Sequence, residues 1–181
     1  MGWIKLFSLL LFLTVHHLNA QTSFFELKVS KDQQGQFVQE KHLKVLSQPF
    51  ITKGQYSYQH DLGLTWRTLQ PIESELNITT AGVQERQPDG QLKTLTNDSQ
   101  FSSLLLALFS GEQQSLRNQF TIEQQQNTVI LTPKAKQISD VISKIVLVIA
   151  DTSIQQITLF EPSENLTKIF LTQSASAPAE E

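Results

Sequence analysis

Between residues 49 and 80 bulky apolar side chains recur at every second position with polar residues between them, and a period of two constrains this chain more than any other feature. Leu62, Leu64 and Trp66 are expected on one face of a strand, and Leu76 and Ile78 on one face of the next. Thr65, Arg67, Asn77 and Thr79 then point the other way. Such a pattern asks for consecutive antiparallel strands that give the sheet one apolar face and one wet face.

The same reading extends along the chain. Strands are expected at 36–45, 54–60, 63–69, 74–80 and 83–86, and the Pro-Asp-Gly of 88–90 marks a turn. Asp98 or Ser99 then caps a helix in which Phe101, Leu104, Leu105 and Leu108 fall at i, i+3, i+4 and i+7, with Gly111 where a C-terminal stop belongs. Further strands are expected at 120–125, 128–133, 142–150, 153–160 and 166–171, with turns at Asn127, at Asp151 and Thr152, and at 161–165. The run 145–150 is apolar on both faces, which predicts cover on its second side. A short helix at 22–31 completes the expectation. The fold class is therefore mainly β (α+β): a highly curved antiparallel sheet forming a half-open barrel, covered by two or three helices.

The ends carry a different signal. Residues 1–20 combine Lys5, an apolar run at 6–15 and Ala20, which fits a cleaved secretory signal peptide, and ten apolar positions fall short of the roughly 20 needed to span a bilayer. The tail 174–181, SASAPAEE, has no apolar periodicity and is expected to be disordered. Between them, 21–173 suits one domain with a continuous core. The sequence contains no cysteine, so neither an N-terminal lipid anchor nor a disulfide is available, and the chain is expected to be soluble and held by packing.

Charge and motif content exclude several functions. Without Lys5 the remaining chain has 13 basic and 17 acidic side chains, with lysines scattered rather than run together, so nucleic acid and anionic headgroups are not expected partners. Past residue 20 the histidines are His42 and His60, without metal-ligand spacing; both are expected on surface strands, and neither metal nor cofactor is expected. No nucleophile elbow, phosphate loop or dinucleotide fingerprint is present, and Glu73 and Glu75 share a strand face that reads as a solvated edge, so an enzyme is not expected. Sequons at Asn77, Asn97 and Asn165 admit a secreted glycoprotein, but the lack of disulfides favours a bacterial periplasm.

The order Phe37-x-Gln39, Pro49-Phe50, Gly54, Gly63-Leu64-x-Trp66, Pro71, Ser74 and Ile78, followed by a Leu-rich helix and Leu131-x-Pro133, resembles the periplasmic outer-membrane lipoprotein carriers (LolA) and their LolA-like relatives. The resemblance implies a half-open barrel whose cavity holds acyl chains. It also implies a monomer with an acylated or lipoprotein cargo, an inner-membrane exporter and an outer-membrane acceptor. Carried onto this chain, the cavity residues are Phe37, Phe50, Leu64, Trp66, Leu76 and Ile78 on the sheet and Leu104, Leu105 and Leu108 on the lid helix. Carriers of the best-known type hold the lid with an arginine shortly before the aromatic strand; this chain has His60 and Asp61 there, which makes His60 the candidate latch. A tryptophan of those carriers is replaced by the run Val83-Gln84-Glu85-Arg86, which places the chain on the divergent LolA-like side. The alternative is a non-enzymatic protein-binding module with a filled barrel, distinguished by the absence of a cavity lined by these residues.

Overall fold

The computed structural model describes residues 32–96, 99–150 and 153–174, and the side chains of 99–101 are not described. The expected signal peptide, the helix at 22–31, the turn at Asp151 and Thr152, the sequon at Asn97, the cap at Asp98 and the tail past 174 lie outside these residues.

Eleven strands form one open antiparallel sheet. A first meander runs β1 (Asp32–His42), β2 (Phe50–Gln59), β3 (Gly63–Gln70), β4 (Ser74–Thr79), β5 (Gly82–Arg86) and β6 (Leu92–Thr96). Helices α1 (Ser99–Ser110) and α2 (Gln113–Gln119) carry the chain to the opposite edge. There a second meander returns through β7 (Phe120–Gln125), β8 (Thr128–Pro133), the short α3 (Lys136–Ser139), β9 (Lys144–Ala150), β10 (Ser153–Phe160) and β11 (Leu166–Gln173). The two meanders join where β11 pairs with β1, Phe37 facing Leu171 and Gln39 facing Ile169, and among the described residues β6 and β7 are the outermost strands.

Register sorts the side chains as the alternation requires. Pairing sets Phe37 beside Gly54, Tyr56 beside Trp66, Trp66 beside Leu76 and Ile78 beside Val83, all on the helix-covered inner face. In the second meander Ile157, Leu147 and Val129 lie in one row and Leu159, Ile145 and Leu131 in the next. Most of these are buried, with Val129, Leu131, Ile145 and Leu147 at 0% exposure. Gly111, with φ +67°, ends α1 at the expected residue, and Gly90, with φ +83°, closes the turn after Pro88.

Several expectations are corrected. β6 was not expected, and β1 spans Asp32–His42 rather than 36–45. Leu62 does not extend the Leu64 and Trp66 face: it lies in the β2–β3 turn, 71% exposed, because Gly63 takes φ +96° and resets the alternation. His60 sits in that same turn rather than on a strand, and Glu73 precedes β4. On β9 the outer residues Val146 and Val148 are only half-buried, so the expected full cover on that side is not found, and the helix α1 lies against β3, β4 and β5 instead.

Gly54 shows how tightly the first meander is packed. A Cβ there would lie 2.0 Å from the Arg67 carbonyl oxygen and 2.7 Å from the Phe37 ring. Gly54→Ala is expected to destabilise the fold by about 1–3 kcal/mol, because neither a backbone carbonyl nor a stacked ring can withdraw cheaply. Urea unfolding of the two proteins measures this, and an unchanged midpoint would contradict the packing described.

Candidate functional site

The inner face of the first meander is lined by an aromatic cluster. The rings of Phe37 and Trp66 stack with centroids 3.8 Å apart, Tyr56 lies 6.3 Å from Trp66, and Phe109 of α1 lies 5.3 Å from Tyr56 and 6.3 Å from Tyr58. Leu104, Ala107, Leu108 and Phe109 are buried on the sheet side of α1, while Leu105 and Leu106 are half-buried against the core. Such a surface offers an apolar chain broad contact and very little polar competition.

Exposure grades along this face. Leu64 and Ile78, one register row from the β2–β3 turn, are 2% and 3% exposed. Trp66 and Leu76, in the next row, are half-buried, and Phe50 at the far end of β2 is 58% exposed. Eight of the nine residues assigned to the cavity from sequence thus meet in or against one apolar core, Phe37, Leu104 and Leu108 being buried with Leu64 and Ile78. Phe50 is the exception: it shares the face, opposite Lys41, but stands at the rim without cover. Tyr56, Tyr58 and Phe109 were not singled out, although the spacing 54-56-58 and the i+8 position of Phe109 from Phe101 carried the signal.

The C-terminal end of α1 is fastened by polar groups. The Gln33 amide donates to the Phe109 carbonyl oxygen at 2.5 Å, and the Tyr58 hydroxyl shares a hydrogen bond with the Ser110 side chain. Burial pushes the phenols of both Tyr56 and Tyr58 up from their ordinary range; at Tyr58 the Ser110 hydrogen bond opposes burial, and the carboxylates Glu112, Asp32 and Asp61 add to it. His60 faces an opening of about 300 Å³ between this end of α1 and the β2–β3 turn, together with Asp61, Leu106 and Glu112. Its backbone N–H donates to Asp32 at 3.4 Å, but among the described residues no hydrogen bond from its imidazole to α1 is present. A hydrogen bond that joins the end of α1 to the sheet comes from Gln33.

Other grooves formed by the described residues are open, and one of about 300 Å³ is walled in part by Val38, Leu69 and Phe170. Two on the outer face, of about 420 and 530 Å³, meet at Arg67 and Glu75. Glu75 is paired there with Arg86 at 2.7 Å. Among the described residues no cluster of three metal-ligating side chains occurs.

The family model for the outer membrane lipoprotein carrier protein LolA matches residues 28–180, most of the chain. The chain belongs to this family. LolA family members are carriers of outer membrane lipoproteins, and the open sheet with its helical cover accords with that membership. Among solved structures, a LolA superfamily protein from Nitrosomonas europaea is 7% identical with a TM-score of 0.48, over 84% of this chain and 90% of that one. A lipoprotein-sorting protein domain from Vibrio parahaemolyticus is 9% identical with a TM-score of 0.41, over 83% and 87%. A DUF1329 family protein from Desulfovibrio piger is 10% identical with a TM-score of 0.38, over 85% and 89%. No curated protein sequence matches the chain.

Loss of one partly buried hydrogen bond costs about 0.5–1.5 kcal/mol, or up to about ten-fold in a local opening equilibrium. Gln33→Ala is accordingly expected to raise amide exchange at 107–110 several-fold, whereas His60→Ala leaves it unchanged. Hydrogen exchange resolved along α1 reads both, and the opposite ranking would return the latch to His60.

Proposed function

We propose that the chain is a periplasmic carrier that shields a lipidated or lipid-like cargo between the first meander and α1 during transfer from the inner to the outer membrane. One observation carries the reading: α1 lies over the aromatic face of the first meander, with Phe109 on the Tyr56 and Tyr58 rings, and its polar anchors sit at its C-terminal end. In the second meander Val129, Leu131, Ile145 and Leu147, with Leu116 from α2, are all at 0% exposure, while Ile122, Ile138, Ile149 and Leu159 stay half-buried. In the first, Trp66, Leu76, Leu105 and Leu106 stay half-buried under a helix fastened at its end by Gln33 and Tyr58. That helix can leave without dismantling the domain.

The magnitudes allow exchange. Exposing Leu104, Leu108 and Phe109 costs about 1.5–3 kcal/mol each, while burying an acyl chain of about sixteen carbons recovers about 12 kcal/mol at 0.8 kcal/mol per CH₂. Cargo therefore stabilises the open arrangement, and in its absence the helix closes on the sheet. Residues 1–20 act as the signal peptide and 21–173 as the carrier domain, the export signal resting on Lys5, the apolar run 6–15 and Ala20. An inner-membrane exporter supplies the cargo and an outer-membrane acceptor receives it, with the carrier acting as a monomer and without catalysis.

The close packing of Phe37, Leu64 and Ile78 favours a second reading, a protein-binding module whose barrel is filled. Native mass spectrometry of protein taken from its own envelope separates the two. The carrier is expected with a co-purifying acylated species near one per chain, or to take up a fluorescent fatty acid; a clean mass with no uptake selects the module. Leu105→Arg is expected to fold and to lose uptake, and unfolding of that variant would make Leu105 ordinary core.

A further inference from the structure

We propose that one end of the sheet docks on an anionic lipid bilayer. It is the end formed by the loops 43–49, 71–73, 87–91, 134–143 and 161–165, and the exposed apolar residues of the molecule gather there. Among the described residues ten large hydrophobics have substantial exposure, and seven of them lie in these loops or within two residues of them. Val45 is 86% exposed, Ile72 78% and Val141 63%, with Phe50, Ile51 and Leu46 beside Val45. They occupy the tips of separate hairpins rather than one continuous patch. A bilayer interface, which needs depth of insertion but no matching shape, suits that arrangement better than a protein partner does.

The basic residues follow the same geography. Lysines that are scattered in the sequence are gathered by the meander: all eight described ones, Lys41, Lys44, Lys53, Lys93, Lys134, Lys136, Lys144 and Lys168, lie in these loops or within four residues of them. Counting every charge within that distance gives ten basic and eight acidic groups, in a chain whose overall charge is negative. Asp32, Asp61 and Glu112 sit instead about the opposite turns. Lys41, Lys44 and Lys136 are ion-paired with Glu161, Glu164 and Asp140, whereas Lys53, Lys93, Lys144 and Lys168 have no ion pair among the described residues. Lysine stems beside exposed apolar tips are what an anionic headgroup layer attracts, each lysine adding about five-fold to partition. The proposal departs from the expectation, drawn from overall charge, that anionic headgroups are not partners.

The inner face also opens toward this end, exposure rising from Leu64 and Ile78 through Trp66 to Phe50. Docking therefore brings the mouth of the lid-covered face to the membrane from which a cargo leaves or which it enters. That use rests on the carrier reading; the docking itself does not.

Flotation of the purified protein with phosphatidylcholine vesicles, and with vesicles that also contain phosphatidylglycerol, tests the proposal. Binding is expected to rise several-fold with phosphatidylglycerol and to fall back at high salt. The double variant Val45→Ser, Ile72→Ser is expected to lose binding several-fold, with thermal unfolding unchanged. Leu62→Ser, which removes a comparably exposed apolar residue from the opposite end, is expected to bind as the parent does. Absence of binding to either vesicle overturns the proposal, as does equal loss in the two variants. Self-association abolished by Val45→Ser, Ile72→Ser without vesicle binding would overturn it in favour of a second copy. Fatty-acid uptake by the same preparations keeps the two readings apart, because uptake without vesicle binding removes the docking and leaves the carrier.

Discussion

The Phe37–Trp66 stack over Gly54 is the contact on which the inner face depends. Phe37 pairs in register with Gly54, and only the missing side chain lets the ring lie flat enough to meet Trp66 at 3.8 Å. Tyr56 continues the aromatic floor beside Trp66, and Phe109 closes on it from above. Because flat rings on a sheet bind a helix through dispersion and water exclusion rather than through interlocking ridges, the helix has few directional anchors. The anchors it has are polar and lie at one end, in the Gln33 contact with the Phe109 carbonyl and the Tyr58 contact with Ser110.

The topology divides the sheet into two meanders of opposite origin in the chain. Two meanders meet at the β1–β11 pairing, and the sheet keeps its continuity whatever happens above either half. The second half has its interior completed by α2 through Leu116 and by Phe120, within one core that α1 shares. The helix α1 lies mainly over β3, β4 and β5, and its Phe109 reaches the β2 tyrosines. The same meander turns a scattered set of lysines into one end of the molecule, because every second loop of an antiparallel sheet returns to the same side.

Much of this architecture is legible in the order of the amino acids. Alternation locates the strands and the correct face for Phe37, Leu64, Trp66, Leu76 and Ile78, and the 3.6-residue period locates α1. β6 escapes such a reading because its leucines, Leu92 and Leu95, are three apart and both exposed, so no period of two exists to be read. α2 escapes it because Leu116 is its sole buried residue. Phe50 illustrates a different limit: parity gives the face but not the height along it, and the loss of cover at a strand end is a property of the neighbours. Gln33 escapes such a reading because its contact with α1 is decided by which side chains the β1–β2 register carries beneath the last turn.

If the face under α1 accepts an acyl chain, Trp66, which lies in that face, reports its entry. With Trp3 replaced by Phe, Trp66 becomes the sole indole of the chain. Titration with a fatty acid brominated along its chain is then predicted to quench its emission saturably, at about one ligand per chain. Emission that stays unquenched, or falls only as much as free tryptophan does in the same solution, would contradict the account.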